Sequence, residues 1–263
     1  MSVIRIALGV SYDGSAYHGW QRQDGVASVQ ETLERALSSV ADHDVTIVCA
    51  GRTDAGVHAT GQVVHFNTDA SRSIHSWIFG ANSNLPHDVN VLWAKSVDSG
   101  FHARFSALGR CYRYIIYNDK IRPALLHHAI GWQYRELDEL QMQKAANFLL
   151  GQHDFSSFRG AECQAHSPIR TVDTLNIIRK NKMIILDIKA DGFLHHMVRN
   201  IVGVLMLIGS GLKPVQWIQE VLEAKDRQVA GMTASPYGLY LVKVYYPDEY
   251  GFPQMPGGPF FLE

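Results

Sequence analysis

The chain has 263 residues, 46% hydrophobic and 19% charged, which suits one large or two small globular domains and excludes an intrinsically disordered chain. A net charge of −1 with histidine neutral excludes polyanion binding driven by total charge, though a local basic groove stays open. Cys49, Cys111 and Cys163 are widely spaced and form no C-x-x-C, which argues against a disulfide framework or zinc ribbon.

The first residues lack a signal-peptide apolar region, and the longest apolar run, Ile201 to Ile208, is too short to span a bilayer. A cytoplasmic protein with no membrane contact is the expectation. From Val3 to Val10 the apolar residues alternate, with Ile4, Ile6, Leu8 and Val10 on one face, as in a half-buried strand. Ser28-Val-Gln-Glu31 reads as a capping box, opening a helix whose stripe is Val29, Leu33, Ala36, Leu37 and Val40. Strands are expected at Val45 to Ala50 and Gln62 to Phe66, a helix near Ser73 to Asn82, and a strand at Asn90 to Val97.

The second half follows the same order. It reads as a strand at Arg110 to Asn118, a helix at Asp138 to Leu150, and strands at Thr174 to Arg179 and Met183 to Ala190 joined by Lys180-Asn181-Lys182. A helix at Phe193 to Ile208, a shorter one at Val215 to Glu223 and a strand at Leu239 to Tyr246 complete it. Two β-α-β-β-α-β runs predict an α+β fold. Its two ferredoxin-like halves would form a pseudo-twofold extended antiparallel sheet with a central cleft. The halves would be residues 1–104 and 105–246, with a Pro- and Gly-rich tail at 247–263 that packs as a tail or as an arm on a partner.

Four segments can carry chemistry. In AGRTDAGVHATGQVVHF, Asp54 sits beside Arg52 among Gly51, Ala55, Gly56 and Ala59. A turn aspartate commonly bonds its own backbone; small neighbours equally leave room for a ligand to reach a carboxylate. In FHARFSALGRCYRYIIYN, Arg104, Arg110 and Arg113 alternate with Phe101, Phe105, Tyr112, Tyr114 and Tyr117. Such a pattern offers cations to phosphates and rings to bases, or else forms a strand with one core face and one solvated basic face. In GFLHHMVRNIVGVLMLIG, Arg199 lies in an apolar helix and must snorkel or pair; paired with Asp54 it would keep that carboxylate ionised. His195 and His196 are adjacent on a helix without an i, i+4 partner, so no metal is expected there. DGSAYHGWQRQ supplies Tyr17, His18, Trp20, Gln21 and Arg22 for a surface contact or a packed loop. Nucleophile-elbow, P-loop and dinucleotide fingerprints are absent.

GRTDAGVHATGQVVHF, with YHGWQRQ before it and FHARFSA, YRYIIYN and HMVRNIVG after it, closely resembles the tRNA pseudouridine synthase A family. SVQETLERAL, HDFSSF and GLYLVKVYYP fit too, so the likeness runs from about Tyr12 to Pro247. The resemblance implies isomerisation of uridine to pseudouridine at positions 38 to 40 of the tRNA anticodon stem-loop, without cofactor or metal, by a homodimer. It implies Asp54 as nucleophile, Tyr112 as the ring that stacks on the target base, Arg199 as the partner of the acid, and Arg52 as the residue that flips or holds the nucleotide. Arg22, Arg104 and Arg110 are the further cations expected to meet the RNA. Three departures from the family pattern, at Glu31, His195 and Ser235-Pro236-Tyr237, leave those residues untouched.

Overall fold

The computed structural model describes residues 3–254 and 257–262. By compactness the chain forms two units: the residues up to Arg110 together with those from Tyr240 onward, and Cys111–Leu239. Both are mixed α+β with a mostly antiparallel sheet. The last strand therefore folds with the first unit, where the repeat pattern had placed it at the end of the second.

The first unit contains β1 (Ile4–Tyr12), α1 (Val29–Ala41), β2 (Val48–Cys49) and β3 (His58–Thr68). A π-helical turn (Ser76–Gly80) then runs into α2 (Ala81–Asn84), followed by β4 (Val89–Val97). Ser28 caps α1 as its sequence predicts, its hydroxyl accepting from Glu31 N. The strand order is β4-β1-β3 with β2 on β3, and the register Ile6↔Phe66, Leu8↔Val64 fixes which side chains share a face. β1 is central, and it is not half-buried as its alternation suggests: all residues from Ile6 to Val10 are buried. The second face carries the small residues Ala7 and Gly9, and the Trp93 indole occupies the space a Gly9 Cβ would need. β2 is shorter and β3 longer than expected: β3 pairs with β1 from Thr68 back to Ala59 and with β10 at His58 and Ala59, whereas β2 meets it only at Val48 and Cys49.

The second unit holds most of β5 (Gly109–Asn118), then β6 (Gly131–Gln133), α3 (Glu139–Ala146), β7 (Gly151–Asp154), β8 (Ile169–Lys180), β9 (Met183–Ala190), α4 (Met197–Gly209) and α5 (Trp217–Ala224). Its sheet runs β5-β9-β8-β7, with β6 parallel to β5. The short β6 and β7 have no sequence signal; each exists because a neighbouring edge offers unpaired backbone groups. The β8–β9 hairpin turns at Asn181, whose φ of 56° suits an asparagine. The helix expected from Phe193 starts at Met197, since His196 takes a φ of 61° that no helix accommodates.

β10 (Leu239–Tyr245) lies parallel to β3, pairing Tyr240 with His58 and Leu241 with Ala59. Gly61 permits this, as a Cβ there would stand 2.1 Å from Val242 O. The following segment packs on its own unit: Phe252 stacks on Trp93 and meets Phe101 edge-on, while Lys95 Nζ donates to Tyr250 O at 2.6 Å.

Candidate active site

The loop from Ala50 to Val57, between β2 and β3, is held by hydrogen bonds and packing along most of its length. Ala50 N donates to Val63 O at 2.8 Å, and Gly51 O accepts from the amide of fully buried Gln62 at 2.6 Å. Thr53 is buried; its hydroxyl shares a 2.8 Å hydrogen bond with Tyr12, and its carbonyl accepts from Trp20 N at 3.0 Å. Gly19, at φ 93°, lies so close that a Cβ would be 2.8 Å from Thr53 O. Beyond the turn, His58 is buried against Tyr240 (centroids 4.7 Å apart), with Asp13 Oδ1 3.1 Å from its Nδ1. That contact holds the Asp13 carboxyl well below the usual carboxylate range. What the loop presents outward is Arg52 and Ala55, exposed, and Asp54, half-buried. The glycine-dotted composition thus has a second cause. Gly56 and Ala59 are buried packing residues, and among the small residues around Asp54 only Ala55 is exposed.

Arginines gather beside this loop. Arg110 donates one nitrogen to Ala50 O at 2.9 Å and to Arg104 O at 2.6 Å, tying the loop to the turn that carries Arg104. The charges of Arg52, Arg104 and Arg110 all act on Cys49, though burial dominates and pushes that thiol up to about 12. Arg22 is engaged differently, by Glu34 at 3.1 Å, where Glu34 also accepts from Ile47 N. Arg113 forms a bidentate pair with Asp187, both bonds 2.7 Å.

The second unit carries Tyr112 and Arg199. Tyr112 is buried in β5, its ring edge-on to Phe193 at 4.9 Å. Arg199 Nε donates to Ala234 O at 2.9 Å, and Ala234 N returns a bond to Arg199 O at 3.1 Å. Asn200, fully buried, accepts from Thr233 Oγ1 at 2.7 Å and from Arg227 at 3.0 Å and donates to Phe158 O at 2.8 Å. The Arg-Asn pair at the start of α4 thus clips residues 233–234, and Tyr114 holds the next one through Ser235 O at 2.8 Å. Burial pushes the Tyr114 hydroxyl up, so it stays a neutral donor. Sequence reading missed these supports. The Tyr12–Thr53 and Asn200–Thr233 bonds link residues 41 and 33 positions apart, and no local pattern announces them.

The comparisons with known proteins agree with the motifs. The family model described as tRNA pseudouridine synthase matches residues 9–106 and 145–247. A tRNA pseudouridine synthase A of Coxiella burnetii is 59% identical over 258 residues, covering 98% of this chain and 99% of its own. Those of Aeromonas hydrophila and Pseudomonas aeruginosa are 59% and 56% identical, covering 98% and 99% of this chain and 96% and 92% of theirs. Matching in order along both units, with the GRTDAG loop inside the aligned region, the chain belongs to the tRNA pseudouridine synthase family and is an isomerase of that class.

Proposed function

We propose that this protein converts uridine to pseudouridine at positions 38, 39 and 40 of the tRNA anticodon stem-loop, working as a homodimer in the cytoplasm. Two ferredoxin-like halves, a reading supported in the first by the β4-β1-β3-β2 order, carry the site. The observation that carries the proposal is the loop pinned at Ala50, Gly51, Thr53 and His58, on which Arg52 is exposed and Asp54 half-buried. Loops rarely justify that much buried hydrogen bonding unless the displayed group must be held in place.

The chemistry needs each residue. The target nucleoside must leave its stack, at a cost of a few kcal/mol. Arg52 holds the everted nucleotide and Tyr112 stacks on its base, which is worth about 1–3 kcal/mol. Asp54 acts as the carboxylate nucleophile in breaking the bond between ribose C1′ and uracil N1. Attack at C1′ and addition at C6 use the carboxylate as nucleophile, whereas elimination through a glycal uses it as the base that takes the C2′ proton and returns it when C1′ bonds to C5. The base then turns, C1′ bonds to C5, the C5 proton is lost and N1 gains one. Tyr112's hydroxyl serves as the base for that proton, directly or through water. Arg199 keeps the acid ionised, and Arg22, Arg104 and Arg110 meet phosphates.

Tritium at uridine C5 of a tRNA transcript reports the last proton step. The protein is expected to release it and to leave pseudouridine at 38 to 40, while Asp54→Asn loses activity by about a thousandfold or more and still binds the transcript. Near-normal turnover by Asp54→Asn would remove the nucleophile, and pseudouridine elsewhere would remove the stem-loop assignment.

A further inference from the structure

Turn 101–106 of the first unit is built with unusual completeness for a surface segment. Ala103 N donates to the buried His65 Nδ1 at 3.1 Å, and Ala103 O accepts from Tyr246 at 2.6 Å. His102 N donates to Ser106 Oγ at 3.0 Å, and His102 O accepts from Ser106 N at 2.9 Å. His102 Nδ1 accepts from both Arg104 N and Phe105 N, each at 3.2 Å. Arg104 O is held by Arg110. Every polar group named here serves the turn's shape, and the turn's apolar anchor is Phe101, fully buried among Tyr246, Tyr250 and Phe252.

Phe105 takes no part in that anchoring. It is 75% exposed, its ring lying on the His102 imidazole (centroids 4.4 Å, 30° between planes), and the Arg104 guanidinium stands 5.5 Å from its centroid. A single exposed apolar side chain needs no explanation. This one differs, because a hydrogen-bonded turn holds it, an imidazole ring backs it, the Arg104 guanidinium stands beside it, and Arg110 grips the Arg104 carbonyl.

We infer that Phe105 is a stacking platform for an unpaired nucleobase of the RNA, with Arg104 receiving the phosphate beside that base. The inference rests on RNA being the substrate and adds a contact outside the isomerisation site. A flat ring accepts any base face, while a guanidinium beside it supplies both charge and a planar fork. The turn costs nothing to order at the moment of binding, since its hydrogen bonds already exist. An unpaired base fits better than a stem, where bases are stacked on one another and present only edges.

The test is tRNA affinity of Phe105→Ala, Phe105→Leu, Phe105→Trp and Arg104→Gln, measured across a salt series. Phe105→Ala is expected to raise the Kd about tenfold with an unchanged salt slope, because stacking involves no counterion release. Phe105→Trp should restore or exceed wild-type affinity, whereas Phe105→Leu should not, since it keeps the apolar area and loses the flat ring. Arg104→Gln should reduce the salt slope by about one. In the Phe105→Trp protein, quenching of the added indole on tRNA binding reports the stack directly. Wild-type Kd in Phe105→Ala, equal rescue by leucine, or a change in oligomeric state on removing the ring would each overturn the inference. The last result would make Phe105 a protein contact. Wild-type protein that binds tRNA without making pseudouridine would instead overturn the proposed reaction and leave the platform standing.

Discussion

Asp54 shows how little of the role proposed for it is written in its own residue type. The side chain of an aspartate in a turn ordinarily bonds nearby backbone; the bond recorded within this turn, Val57 N to Asp54 O at 3.1 Å, is made by the main chain and would form with any residue at position 54. What singles it out is the fixation of the residues on either side. Tyr112 invites the sharpest single-atom test. Tyr112→Phe keeps the ring and its contact with Phe193 and removes only the hydroxyl. Substrate affinity should hold and turnover should fall by about tenfold to a hundredfold, read as kcat under saturating tRNA. Unchanged kcat would take the phenol out of the proton transfer and leave stacking as its role.

Elements matter here through what they let approach one another. The segment around Gly19 runs against the Asp54 loop with no room for a side chain, and its φ of 93° is one that glycine adopts freely. Gly19→Ala should therefore strain the backbone and push Thr53 outward, lowering stability by about 1–3 kcal/mol. Activity should fall further than stability explains, because the carboxylate moves with Thr53. Chemical denaturation paired with kcat/KM separates the two, and an unaltered kcat/KM would show that the loop holds its shape without this packing. The sequence announced the elements themselves well: the cap at Ser28, the β8–β9 hairpin and the apolar stripe of α1 all come from local patterns. The ends of β2, β3 and α4 were not legible, since pairing partners and the left-handed His196 decide them.

The first unit as a whole should report its pH through His65. Burial, helped by the charges of Arg5 and His102, lowers its pKa to about 4, so it stays neutral while accepting from Ala103 N. In the unfolded chain it takes up a proton near pH 6.5. Between those values the unfolded state binds more protons than the folded one, so stability falls as pH drops from about 6.5 to about 4. One such group costs about 3 kcal/mol across that window. His65→Gln retains an acceptor and does not titrate, so its stability should vary less between pH 7 and pH 5 than that of the wild type. Equal slopes in urea titrations at the two pH values would show that other groups govern the acid limb.

The sequence alone determined the chemical vocabulary: a carboxylate beside an arginine in a glycine-dotted turn, arginines alternating with aromatics, and an Arg-Asn pair in an apolar helix. Short-range rules suffice for these because caps, turns and periodicity act over a few residues. Only the tertiary structure decided which backbone each side chain would grip. It brought Tyr12 to Thr53, Gln62 to Gly51 and Arg110 to Ala50, and it folded the last strand onto β3. Those choices depend on strand register and close packing between segments far apart in the chain, where a shift of one residue would turn every side chain to the opposite face.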